Sequence, residues 1–162
     1  MYNFLMNKII EIQLGEALIK RGWSIAFAES CTGGLIGHRM TNVPGSSEYY
    51  LGSVTAYANN AKVTLLNVSP YTIEQFGAVS EETVLEMATG IRSVLVTDIG
   101  VSVSGIAGPG GGSAEKPVGL VWIGMATSEV SSAQKFIFSG ERAAVKEQAA
   151  NEAMQMALIA AQ

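Results

Sequence analysis

The chain is short of most residues that bind metals, cross-link or carry strong charge. A single cysteine, Cys31, excludes an internal disulfide and any multi-cysteine metal site. A single histidine, His38, leaves a Ser-His-Asp triad one candidate base, in a helical segment some two turns past the nearest activated-looking serine. With one histidine and no carboxylates at ligand spacing, no metal site is expected. Charged residues make up only 15% and no run of five like charges occurs, so there is no basic arm or acidic tail. The net charge of −4 argues against a nucleic-acid partner. The longest uncharged stretch, residues 99–114, is glycine-rich and too short to span a bilayer. The apolar start, Met1 to Ile10, lacks a small-residue cleavage site and does not read as a signal peptide. A cytoplasmic setting is the expectation, without membrane association.

What is abundant is apolar surface and glycine. Hydrophobic residues reach 48% of 162, with a mean hydropathy of +0.28. That is enough for one full domain over residues 1–162, with apolar surface to spare for a homo-oligomer.

The pattern predicts alternating elements. An amphipathic helix over residues 7–21 precedes a buried strand at 24–28 and a helix at 33–43. Val43-Pro44-Gly45-Ser46-Ser47 stops that helix and restarts the chain. A strand at 52–58 leads to a short helix capped by Asn59, and Ser69-Pro70 opens another that ends near Gly77. Ser80-Glu81-Glu82-Thr83 begins a long helix to about Val96, its acids suiting the positive end of the helix dipole. A doubly buried strand at 99–106, a glycine loop at 107–116, hairpin strands at 118–127 and 134–138 and a terminal helix complete the chain. This order predicts an α/β fold, a three-layer α/β/α sandwich with a mixed sheet.

Two segments carry chemistry. Ala28-Glu29-Ser30-Cys31-Thr32-Gly33-Gly34 sets two hydroxyls and a thiol at a strand-to-helix turn, where free N–H groups favour developing negative charge. Ser30 reads either as a nucleophile or as a cap for the following helix. Cys31 reads as a small buried residue, and Glu29 as a surface or cap-paired carboxylate rather than the orienter of a base. The second segment, Ser104 to Ser113, holds five glycines in ten residues and suits convergence of backbone N–H groups on a phosphate or carboxylate. It is not a Walker A loop, because Lys116 lies four residues beyond Gly112. Singly, Tyr57, Lys62 and Arg142 read as ordinary strand, helix and capping residues.

Together the segments resemble the C-terminal domain of the competence/damage-inducible CinA proteins, also found as a stand-alone nicotinamide-nucleotide amidase. The resemblance rests on Ala28 to Gly34, Val43 to Ser47, Ala56 to Lys62, Gly77 to Glu82, Ser104 to Gly112 and Lys116 to Gly119, in that order. It implies hydrolysis of nicotinamide mononucleotide to nicotinic acid mononucleotide and ammonia, with no cofactor. It further implies Ser30 as nucleophile, with Tyr57 and Lys62 as partners. Substrate would be held by Thr32, Gly33, Gly34, Ser46, Ser104, Gly105, Ala107, Gly108, Gly110 and Arg142, with backbone donors of Cys31 to Gly34 at the oxyanion. The face of Tyr57, Tyr49 or Tyr50 would lie against the cationic ring. The larger CinA proteins carry a further N-terminal domain, so a pyrophosphatase activity of that domain is not expected. The rival expectations are a non-catalytic nucleotide-binding module and, more remotely, a Cys31 thiol enzyme.

Overall fold

A computed structural model describes residues 9–162, so residues 7 and 8 of the expected first helix lie outside it. The elements follow the order α1 (Ile10–Arg21), β1 (Ile25–Glu29), α2 (Leu35–Thr41), a 3-10 turn (Ser46–Glu48) and β2 (Tyr50–Thr55). They continue with α3 (Asn59–Leu66), α4 (Pro70–Phe76), α5 (Glu81–Leu95), β3 (Ile99–Gly105), β4 (Leu120–Ala126), β5 (Ser131–Ile137) and α6 (Arg142–Ala161). The mixed sheet has the order β2-β1-β3-β4-β5. β1 pairs in parallel with both β2 and β3, whereas β4 and β5 form an antiparallel hairpin on β3.

The alternation of β1 separates the two faces of the sheet. Ile25 and Phe27 join Leu14, Leu18, Ile36, Met40 and the alanine-rich face of α6 in the larger core. Ala26 and Ala28 point the other way, toward Leu66, Met87 and Ile91. On that second face the sheet is lined by small residues, which lets α5 lie close. A side chain at Gly100 would strike the Ala88 carbonyl, and one at Gly124 the Val84 carbonyl. Ser102 uses the same proximity, donating its hydroxyl to Val84 O at 2.5 Å. The predicted three layers are therefore present, with α1, α2 and α6 on one side and α3, α4 and α5 on the other.

Several boundaries differ from the sequence reading, for local reasons. α2 begins at Leu35 rather than residue 33, because Gly33 and Gly34 hold positive φ (63° and 99°) and carry the chain round a turn first. β2 starts earlier, at Tyr50, where it registers with Ile25. β5 begins at Ser131, earlier than the expected residue 134. Ala58, not Asn59, occupies the N-cap of α3. Ser69 is the N-cap of α4 but makes no side-chain cap bond, while its N–H donates to Glu86 at 2.7 Å. Ser80 caps α5 as predicted, accepting from the Thr83 N–H. Among the described residues no helix is long and apolar enough to cross a membrane.

From β1 the chain crosses to β2 on one side, and from β2 it returns past β1 to β3 on the other. The crevice beyond the carboxyl ends of β1 and β3 is thus a topological switch point, where open α/β sheets bind ligands.

Candidate active site

Ser30 follows directly on β1, and its N–H donates to Val103 O at 2.9 Å, continuing the pairing with β3. Its neighbour Glu29 is wholly buried and takes over the role of helix cap. Its carboxylate accepts the N–H groups of Gly34, Ile36 and Gly37 at 3.0, 3.1 and 2.9 Å. Three donors that the first turn of α2 would leave unpaired are thereby satisfied. This removes the capping alternative for Ser30 and corrects one expectation. The Gly34 N–H is committed to Glu29 and the Gly33 N–H to Ser30 O, so neither is offered to an oxyanion. Of that turn, the Cys31 N–H remains, on a residue that lines the cleft, whereas Thr32 is fully buried.

Lys62 reaches the serine from the first turn of α3. It is only 1% exposed, yet Ser30 Oγ, Ala56 O and Tyr57 O surround its Nζ at 3.0, 3.0 and 3.1 Å. No carboxylate is paired with it. Burial lowers its pKa below the usual lysine value of 10.5, because an ammonium without a counter-ion is poorly solvated there. The three acceptors suit both protonation states. The ammonium donates to all three, whereas the neutral amine donates to the two carbonyls and turns its lone pair toward the Ser30 hydroxyl.

Cys31 lines the same cleft, where its surroundings favour the protonated thiol. Burial, with a smaller contribution from the Glu29 charge, pushes its thiol up to about 11.

The cleft over Ser30 has a volume of about 280 Å³. Ser30, Tyr57, Lys62, Ser104, Gly105, Ala107, Gly108, Gly110 and Arg142 all line it, so most of the residues singled out in the sequence converge there. Thr32, Gly33, Gly34 and Ser46 do not line it. Thr32 is fully buried and its hydroxyl has no hydrogen-bond partner among the described residues. Ser46 sits in the turn before β2, beside the start of the parallel strands and so at the opposite end of the sheet from Ser30. Tyr49 and Tyr50 share that end, where Tyr49 O accepts the Ile25 N–H, so neither presents a face to a ring bound over Ser30.

Tyr57 splits its roles. Its backbone carbonyl holds Lys62, while its hydroxyl accepts from Arg142 at 3.0 Å. Since Lys62 meets Ser30 directly, a proton path between them needs no tyrosine relay. Arg142 also donates to Gly108 O at 2.8 Å, which ties the start of α6 to the glycine loop and to Tyr57. His38 is exposed on α2, away from the cleft.

Sequence reasoning passed over the opposite wall, formed by Ala78 and Val79. Ser104 Oγ donates to Ala78 O at 2.7 Å, and Lys116 Nζ donates to Phe76 O and Val79 O at 2.7 and 2.9 Å. The signal was present, since both Gly77 to Glu82 and Lys116 to Gly119 belong to the ordered motifs. Among the described residues no group of three or more His, Cys, Asp or Glu side chains could hold a metal ion.

Comparison with known proteins shows the family of the chain. The family model of the CinA C-terminal domain matches residues 7–160. The chain belongs to the CinA C-terminal domain family. Within it, the nicotinamide-nucleotide amidohydrolase PncC of Enterobacter agglomerans is 49% identical over 152 residues, covering 92% of each chain. A CinA-like protein of Salinibacter ruber is 52% identical over 91% of this chain. The chain spans only 36% of the length of that longer relative. A CinA superfamily protein from Klebsiella pneumoniae superposes with a TM-score of 0.90 at 34% identity, covering 94% of this chain and 95% of its own. A competence/damage-inducible protein from Agrobacterium tumefaciens gives 0.88 at 37% identity, covering 94% of each.

Proposed function

We propose that the chain is an amidohydrolase that converts nicotinamide mononucleotide to nicotinic acid mononucleotide and ammonia, with Ser30 as nucleophile and Lys62 as its base. The observation that carries this reading is the buried contact of 3.0 Å between Lys62 Nζ and Ser30 Oγ, made without a carboxylate near the amine. The PncC relative, similar along nearly the whole chain, supports the substrate.

In the proposed reaction, neutral Lys62 takes the hydroxyl proton as Ser30 Oγ bonds to the amide carbon. The attached pyridinium withdraws electrons and makes that carbon more electrophilic. Negative charge gathers on the former carbonyl oxygen, beside the N–H of Cys31, the residue of that turn next to Ser30 that lines the cleft. Each well-placed donor there contributes roughly 3 kcal/mol to the transition state. The intermediate collapses by breaking the C–N bond, and the proton held on Lys62 passes to the departing nitrogen, which leaves as ammonia. Water then adds to the Ser30 ester, giving its proton to Lys62. The ester C–O bond breaks, Ser30 recovers a proton, and the carboxylate product is released.

Ammonia release from nicotinamide mononucleotide by the purified chain tests this reading. Stoichiometric release of ammonia and nicotinic acid mononucleotide is expected. Saturable binding of the mononucleotide without any release would instead favour a non-catalytic nucleotide-binding module.

A further inference from the structure

Beside the cleft over Ser30 lies a second, wider one of about 880 Å³. The two share Ala107 and Arg142 and so adjoin, the narrow one over Ser30 and the broad one beside it. The broad one is lined by Leu35, Pro109 and Val118 on one side and by the first turns of α6 on the other.

The charges on α6 are unevenly used. Glu147 is paired with Arg39 at 3.1 Å. Arg142 is a strut, because its guanidinium donates to the Gly108 carbonyl and the Tyr57 hydroxyl, both neutral acceptors. Lys146 stands one turn further along and is half-buried in the wall. It makes no hydrogen bond or ion pair among the described residues, although an ammonium has three donors to place. Its Nζ lies 3.8 Å from where a Cβ on Gly33 would stand, so it overhangs the turn that carries Ser30. The Gly33 N–H closes that turn on Ser30 O at 3.1 Å. A lysine chain held against apolar walls, with its ammonium unpaired near the nucleophile turn, is arranged to meet an anion brought by the ligand.

We propose that Lys146 is a specificity-determining residue that binds the phosphomonoester of the substrate, and so selects the mononucleotide over the riboside, which lacks the phosphate. The proposal rests on the amidase reading and extends it to a residue that neither the motifs nor the Ser30–Lys62 pair includes. The narrow cleft takes the pyridine carboxamide, while the ribose and phosphate run into the broad one. Arg142 adds positive potential there, but its bonds to Gly108 and Tyr57 leave Lys146 as the cation free to close on the phosphate.

The test compares kcat/KM for nicotinamide mononucleotide and nicotinamide riboside in the wild type, Lys146→Met and Lys146→Arg. Lys146→Met should lower the ratio of the two values at least tenfold, chiefly through KM for the mononucleotide. Lys146→Arg should restore most of it. Equal losses on both substrates, or a ratio that does not move, would overturn the proposal. Calorimetric titration of nicotinamide mononucleotide into Ser30→Ala, with and without Lys146→Met, separates this idea from the amidase reading. At least tenfold weaker binding in the double variant is expected even if no ammonia is ever released. Equal binding would overturn the role of Lys146 whether or not the chain is an amidase.

Discussion

β1 and β3 run side by side, and each brings a serine to the same cleft. Ser30 follows the last residue of β1, and Ser104 is the last but one of β3. Both hydroxyls are buried, at 7% and 1% exposure. Their partners differ. Ser30 Oγ accepts from the buried Lys62 amine, while Ser104 Oγ donates to the Ala78 carbonyl. A carbonyl cannot take a proton, so Ser104 has no base to activate it, and its bond holds the wall in place. An amine whose pKa is lowered by burial can take one. In the proposed reaction the same side chain is thus a reacting group at one position and a fastening at the other, according to what it faces.

The sharpest way to break this contrast is to remove each hydroxyl. Ser30→Ala should lower kcat by roughly a thousandfold or more, as loss of a nucleophile does. It should leave mononucleotide binding by calorimetry in place. Ser104→Ala removes one neutral hydrogen bond and should cost less than about tenfold, mainly in KM. Equal losses from the two variants would erase the distinction.

Lys62 sharpens it further. In the proposed reaction the neutral amine is the working form, so kcat/KM should rise with pH and level off above the lysine's pKa. Because burial lowers that pKa, the midpoint should fall below 10.5. Lys62→Arg should abolish the ascending limb together with turnover, since a guanidinium does not give up its proton. The stability sign is the reverse of that for a paired lysine. Below the folded-state pKa Lys62 opposes folding in full, and this cost fades as pH rises from that value to the unfolded one.

Glu29 frees Ser30 from the capping role. Glu29→Ala should destabilise the fold by about 3 kcal/mol or more, read from denaturant melts, because three N–H groups lose a charged acceptor. The smallest effect belongs to Cys31→Ala. With its thiol protonated up to about pH 11, turnover should stay within about threefold.

Much of this was legible in the sequence. The order of helices and strands predicted the sheet's mixed character, and the strands differ as that requires: β1 and β3 are buried almost throughout while β5 is largely exposed. The strand-to-helix turn and the glycine loop marked two walls of the cleft. What the linear pattern did not carry was the choice of partner. Ser30 reads equally as a cap until Glu29, one residue earlier, is seen to fill that role. Lys62 reads as a solvated helix residue until α3 turns its side chain under β1. Ser46 belongs to an ordered motif, yet the parallel crossover from β1 to β2 carries it to the far end of the sheet.

The central claim is that Ser30 and Lys62 act as one unit, and a double-mutant cycle on kcat/KM tests it most directly. Ser30→Ala, Lys62→Met and the combined variant are compared for ammonia release from nicotinamide mononucleotide. If the pair works as a unit, the combined variant loses no more than the worse single one. Losses that multiply, or a Ser30→Ala variant that turns over normally, would contradict the account.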